Sequence, residues 1–266
     1  MMKDETAELM RIVRKKRPLV HQITNNVTVN DCANITLCAG GSPVMAEAAD
    51  EAEQMVQHAS ALVLNIGTLM NETIKAMIIA GKAANKKGIP VILDPVGAGA
   101  TKYRMDTVRK ILKEVKVSII KGNAGEIGAL AGAGGKVRGV DSDGLEGDPA
   151  EACKALSKMT GATIVMTGAV DIITDGKRVA VVNNGHEMMS SVSGTGCMAG
   201  AVIGCYAGCS DDMLVASAAA LAVFCIAGNK AAKRSKGPGT FIMNLKDEMV
   251  SLTPEEVIPL ANIRLL

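Results

Sequence analysis

Between residues 61 and 166 the chain alternates short, mostly apolar runs with longer stretches whose apolar positions recur every three or four residues. The runs at 61–66, 91–93, 118–121 and 163–166 lack a polar face, so they predict strands buried on both sides. The stretches at 71–86, 101–114 and 148–159 carry the period of amphipathic helices. Strands of this kind separated by helices predict a parallel sheet covered on both faces. Upstream, Leu9, Ile12 and Val13 fall at helical spacing within 4–16, which predicts a surface helix ending before Pro18. Residues 19–24 read as a short strand, and the polar, β-branched segment 25–30 as an exposed binding loop. A helix at 31–39 is broken by Gly40, Gly41, Ser42 and Pro43, ahead of a second short strand at 44–46.

Beyond Gly168 the pattern changes. Segments 171–177 and 178–183 predict an antiparallel hairpin turning at Asp175 and Gly176. Two long apolar helices, 196–208 and 211–234, follow it. Gly196, Gly200, Gly204 and Gly208 recur every four residues, a smooth stripe expected to pack against the 211–234 helix. No linker and no repeat interrupts the chain, so 1–266 is expected to form one domain, with the glycine-rich segment 132–147 a mobile surface connection. The fold class is α/β: a three-layer sandwich with a mainly parallel central sheet, helices on both faces and no separate lid domain.

Composition narrows the function. Hydrophobic residues make up 48% of the chain, yet there are two Tyr, two Phe and no Trp, so the core must be aliphatic with 16 Met. Too few aromatic platforms exist for base stacking, and a net charge of +2 gives no broad basic field. No nucleic-acid partner is expected, and the basic run at 14–17 reads as the solvated end of the first helix. Seven cysteines form no CxxC pair and have no zinc-ligand spacing, which points to reduced thiols and a cytoplasmic protein. The first ten residues are too charged for a signal peptide, and the apolar run 214–228 is too short to span a bilayer, so no membrane partner is expected.

The candidate chemistry collects where strands end. Ser193, Gly194, Thr195, Gly196 and Cys197 lead into an apolar helix, so their backbone amides would form an anion site at its positive end. The other strand ends carry Asn65 and Gly67, then Asp94, then Lys121, Asn123 and Glu126, then Thr167 and Gly168. In open parallel sheets, ligands bind beyond the C-terminal ends of the strands. Two carboxylates, a cation, a hydroxyl and glycine amides make the mixture that phosphoryl transfer uses. The pattern GxxxxGK[ST] is missing, as are the protein-kinase signatures, so neither of those kinase classes applies.

Asn123-Ala124-Gly125-Glu126, Asp94-Pro95-Val96-Gly97-Ala98 and Gly194-Thr195-Gly196-Cys197 together resemble the ribokinase-like fold. With the stretch from His21 through Val27, and Gly41-Ser42-Pro43-Val44-Met45, they resemble more narrowly the hydroxyethylthiazole kinase family. The resemblance runs from about Leu19 to Asn244. It implies ATP-dependent phosphorylation of the primary hydroxyl of a thiazole alcohol in thiamin salvage, with Mg²⁺. A kinase of another small alcohol such as hydroxymethylpyrimidine, and a binding protein that has lost its base, are the alternatives. By resemblance, Gly194, Thr195 and Gly196 form the anion hole for the transferring phosphoryl group. Asp94 and Glu126 serve Mg²⁺, mostly through water. Lys121, Asn123, Thr167 and Gly168 meet ATP. Met45, Gly67 and Gly194 line the thiazole pocket, while Asn25 and Val27 belong to a stretch that reaches the pocket of a neighbouring subunit in a homotrimer. Cys197 stands where most ribokinase-like enzymes place an Asp base, and is expected to orient and partly deprotonate the hydroxyl.

Overall fold

The apolar runs form the strands of one large sheet. The computed structural model describes residues 2–132, 140–141, 144–145 and 148–266, so most of the connection expected at 132–147 lies outside the described residues. In chain order the elements are α1 (Met2–Lys16), β1 (Leu19–Ile23), α2 (Val29–Ala39), β2 (Ser42–Val44), α3 (Ala49–Val56) and β3 (Ala61–Asn65). Then come α4 (Asn71–Lys87), β4 (Val91–Asp94), α5 (Lys102–Glu114), β5 (Ile119–Asn123), α6 (Ala124–Gly132), β6 (Val140–Asp141) and β7 (Gly144–Leu145). They are followed by α7 (Pro149–Thr160), β8 (Thr163–Thr167), β9 (Asp171–Thr174), β10 (Val179–Val182) and a 3-10 turn at Glu187–Ser191. The chain closes with α8 (Thr195–Ala207), α9 (Met213–Arg234), α10 (Pro238–Ser251), α11 (Pro254–Leu260) and β11 (Ile263–Leu265).

The nine-stranded sheet has the order β11-β10-β9-β8-β5-β4-β3-β1-β2. From β2 to β8 every neighbouring pair is parallel; β9, β10 and β11 add an antiparallel edge, which contains the hairpin expected at 171–183. Successive strand residues face opposite ways. Ala61 and Val63 therefore enter a core shared with α1, α2, α8, α9 and α10, while Leu62 and Leu64 enter one shared with α3, α4, α5, α6 and α7. Two apolar layers with a sheet between them are the three-layer sandwich expected from the sequence. Local caps agree with it: Asp148 accepts the N–H of Ala150 at the start of α7, and Asp212 accepts those of Leu214 and Val215 at the start of α9.

Several expectations shift. The second strand lies at Ser42–Val44 rather than 44–46; Pro43 is tolerated there because β2 is the edge strand. The binding loop at 25–30 is shorter and less exposed than its polarity suggested, since α2 begins at Val29 and both Asn25 and Thr28 are buried. The glycine stripe faces the sheet rather than α9. A Cβ on Gly204 would lie 2.8 Å from Val63 and 2.9 Å from Val20, and one on Gly200 would lie 3.6 Å from Asp94. Glycine thus lets α8 lie directly on the strand ends. Helix α9, at 22 residues, is longer than its apolar run and is long and apolar enough to cross a membrane, but most of it is buried in the core. Helices α3, α6, α10 and α11, the two-residue strands β6 and β7, and strand β11 have no counterpart among the elements expected from the sequence.

Candidate active site

Helix α8 delivers the glycine turn to the C-terminal ends of the parallel strands. Gly194 is its N-cap with φ of 91°, a left-handed conformation that costs little without a Cβ. A Cβ there would collide with Thr28. The Thr195 hydroxyl donates to the carbonyl of Met189 at 2.9 Å, tying the turn to the preceding 3-10 segment. The amides of this first helical turn have no acceptor within the helix and stand at its positive end.

Asp94 closes β4 and Lys121 lies in β5. Lys121 Nζ donates to Asp94 Oδ2 at 3.1 Å, with side-chain exposures of 4% and 1%. Burial raises the Asp94 carboxyl above its ordinary range, against the pull of the neighbouring Lys121 ammonium. For Lys121, burial works downward, but Asp94, Glu126 and Cys197 outweigh it and the ammonium is held above its ordinary value. A Cβ on Gly196 would lie 3.3 Å from Lys121 Nζ, so the cation sits against the glycine turn. A positive charge and free amides therefore converge on one point.

Glu126 is held by backbone. Its Oε1 accepts the N–H of Gly97 at 2.8 Å and its Oε2 that of Asn123 at 2.8 Å, while Asn123 Oδ1 accepts the N–H of Glu126 at 2.9 Å. This reciprocal cap starts α6, a helix that its own glycines disfavour. It also ties the loop after β4 to the end of β5. Among the described residues no group of three His, Cys, Asp or Glu side chains could hold a metal ion alone. Mg²⁺ does not need one, since it keeps several waters and takes one or two carboxylates plus phosphate oxygens. Asp94 Oδ1 is buried with no hydrogen-bond partner among the described residues, and the Glu126 oxygens each carry one N–H, so the donor set fits Mg²⁺.

Cys197, in the first turn of α8, is half-buried. Its sulfur accepts an N–H from Asn25 Nδ2 and another from Asn65 Nδ2, each at 3.3 Å. Asn25 thus lies at its own chain's Cys197, and its side chain fills the space a Cβ on Gly67 would take, 2.8 Å away. Val27 projects outward and is 68% exposed. Met45, just beyond β2, packs half-buried against the core.

Behind the turn lies a cavity of about 730 Å³ lined by Asn123, Thr167, Gly168, Thr195, Gly196 and Phe224 among others, a volume suited to a nucleotide. Asp171 Oδ1 accepts the N–H of Gly168 at 3.0 Å, and Oδ2 accepts from the Cys225 thiol. Burial raises the Asp171 carboxyl to about 6, against the Gly168 bond, the Cys225 thiol and Lys121. The structure therefore brings together the glycine turn, Asp94, Lys121, Glu126, Cys197, Asn25 and Gly67 on one side, and Asn123, Thr167 and Gly168 on the other.

Sequence reasoning assigned no role to Asn65, Asp171 or Arg104. Arg104 donates to the carbonyls of Ile66, Gly67 and Val96 at 2.7 to 2.9 Å, clamping the loops that follow β3 and β4. Asn65 carried a visible signal, a polar residue at the end of an apolar strand. Arg104 carried none, because a charged residue in the first turn of a surface helix is ordinary.

The model of the hydroxyethylthiazole kinase family matches residues 10–255. A hydroxyethylthiazole kinase of Methanosphaerula palustris is 55% identical over 98% of this chain and 99% of its own length. The solved structure of a hydroxyethylthiazole kinase protein from Pyrococcus horikoshii is 40% identical with a TM-score of 0.91, covering 98% of both chains. A ribokinase-like superfamily protein from Enterococcus faecalis, 13% identical with a TM-score of 0.64 over 92% of this chain and 95% of its own, shares the fold.

Proposed function

The chain belongs to the hydroxyethylthiazole kinase family, and on that premise we propose how its residues divide the work of one phosphoryl transfer. The enzyme uses ATP to phosphorylate the primary hydroxyl of 5-(2-hydroxyethyl)-4-methylthiazole in thiamin salvage. The assignment of roles is carried by the glycine turn, which lines the nucleotide-sized cavity through Thr195 and Gly196, has the Lys121 ammonium against Gly196 and runs on into Cys197.

ATP lies in that cavity with its phosphates directed at the glycine turn. Asn123, Thr167 and Gly168 line the nucleotide side. The first-turn amides of α8 and the Lys121 ammonium receive the charge of the transferring group, where fixed dipoles need no reorganisation. Asp94 and Glu126 would hold Mg²⁺ through water, and the ion would neutralise phosphate charge. The thiazole alcohol approaches Cys197 from the side of Gly67, Gly194 and Met45. In a loose transition state the alcohol proton leaves late, so orientation of the hydroxyl contributes more than a strong base does. Cys197 orients the hydroxyl and, acting as the thiolate, takes its proton as the oxygen–phosphorus bond completes, leaving the thiol, the phosphate ester and ADP; no phosphate bond to sulfur forms.

A homotrimer with thiazole sites between subunits is part of this reading, supported by the outward-facing Val27 next to the site. A cytoplasmic location is part of the same reading, supported by seven cysteines that form no CxxC pair. Phosphorus NMR of a reaction with ATP, Mg²⁺ and the thiazole alcohol tests the chemistry. A phosphate ester coupled to the side-chain methylene is expected. Release of inorganic phosphate alone would contradict it.

A further inference from the structure

The two amides that meet Cys197 can each point only one way. Asn25 Oδ1 accepts three donors, the N–H groups of Val27 and Thr28 and the Thr28 hydroxyl, each at 3.1 Å. An NH₂ group in that position would face three donors, so the oxygen is fixed inward. Its Nδ2 is thereby turned toward Asn65 Oδ1 at 2.9 Å and Cys197 Sγ at 3.3 Å. Asn65 repeats the arrangement. Its Oδ1 accepts the Gly67 N–H at 2.9 Å, which leaves Nδ2 to donate to Asp94 Oδ2 at 3.0 Å and to Cys197 Sγ. Polarity thus runs one way, from the backbone amides of the 25–28 turn and of Gly67 through two side chains to the sulfur.

From this one-way chain we propose that Asn25 and Asn65 are positioning residues that hold the Cys197 sulfur as a double hydrogen-bond acceptor, aimed at the incoming alcohol. The proposal rests on the reading of Cys197 as the group that meets the hydroxyl. Two donors occupy two lone-pair directions of the sulfur, so its remaining direction, whether S–H or lone pair, faces away from both amides. Both donors point at the sulfur, so replacing either by a carboxylate oxygen would set a repelling acceptor against it. Both asparagines are nearly inaccessible, at 4% and 3% exposure, so the orientation is built into the protein before substrate arrives. A cysteine, a weaker acceptor than the Asp usual at this place, gains orientation from two fixed donors that it could not supply itself.

Asn25→Asp tests the donor, because it keeps the oxygen that takes the Val27 and Thr28 groups and turns the Nδ2 end into a charged acceptor facing the sulfur. The full-length enzyme is treated with iodoacetamide at one pH, and the alkylation rate at Cys197 is followed by peptide mass spectrometry. The half-buried Cys38 and Cys209 of the same molecules are internal references. The Cys197 rate relative to the references should fall about ten-fold, the scale of one unfavourable charge interaction. The KM for ATP should stay within about two-fold while kcat falls. A relative rate that is unchanged or higher overturns the proposal, whatever happens to kcat. Asn65→Asp, read the same way, serves if Asn25→Asp does not fold. Wild-type enzyme inactive on the thiazole alcohol would overturn the function while the alkylation ratio still judged the relay. Active enzyme with an unchanged ratio would overturn the relay alone.

Discussion

Lys121 Nζ and Asp94 Oδ2 form an ion pair at 3.1 Å with both side chains almost wholly out of solvent. Removing one partner leaves the other as a buried, uncompensated charge, which costs about 3–5 kcal/mol. Lys121→Met should therefore lower stability by roughly that amount and abolish turnover, as followed by urea unfolding and steady-state assay. Lys121→Met combined with Asp94→Asn should restore most of the stability and none of the activity. A double variant as unstable as the single one would contradict the pairing.

Gly194 carries both a left-handed conformation and the contact with Thr28. Gly194→Ala strains the backbone and pushes the turn off its position, so a loss of roughly 1–3 kcal/mol is expected. Turnover should fall about a hundred-fold, the scale seen when an oxyanion donor is displaced. Adding Thr28→Ser removes the colliding methyl, and part of the activity should return.

Glu126→Gln keeps the shape of the side chain and turns one carboxylate oxygen into a donor. Because both oxygens already accept backbone N–H groups, one of Gly97 and Asn123 must lose its acceptor. Stability should fall by about 1–3 kcal/mol. If the carboxylate also serves Mg²⁺, the metal concentration for half-maximal activity should rise several-fold, while Asp106→Asn, on an exposed helical face, should leave it unchanged.

Asp171 gives a pH signature. Its folded carboxyl is raised to about 6 by burial, above the ordinary carboxylate value, so the folded state holds a proton that the unfolded state has released between the two. The wild-type stability contributed by this group is thus fully present below about 4 and falls as pH rises to about 6. Asp171→Asn keeps the acceptor for Gly168 and removes the titration. Denaturation at a series of pH values should show the variant gaining on wild type from about pH 4 to 6, reaching roughly 3 kcal/mol above that. A constant difference across the range would contradict a raised carboxyl.

The parallel layer was legible because its strands are buried on both faces and its helices keep a clear amphipathic period. Helix α6 was not, since Ala124-Gly125-Glu126 followed by further glycine reads as loop; its start depends on Asn123 and Glu126 bonding each other. The direction of the glycine stripe was also hidden. A four-residue repeat says that one face of α8 is smooth, but whether Gly204 meets a helix or Val20 and Val63 is decided by tertiary packing. At the site, residue types at strand ends pointed to Asp94, Lys121 and Cys197. The burial of Asn25 and the clamp made by Arg104 depend on which loops the sheet order brings together, and no local pattern encodes that.

In the proposed function, Cys197, the glycine turn and Lys121 together make a kinase for the thiazole alcohol. Coupled ADP release with ATP and Mg²⁺, run side by side with 5-(2-hydroxyethyl)-4-methylthiazole and with hydroxymethylpyrimidine, tests it most directly. ADP release that depends on the thiazole alcohol, is weak or absent with the pyrimidine, and is kept or raised by Cys197→Asp is the predicted result. Release with neither alcohol, from a protein that still binds the thiazole, would contradict the account and mark Cys197 as a lost base.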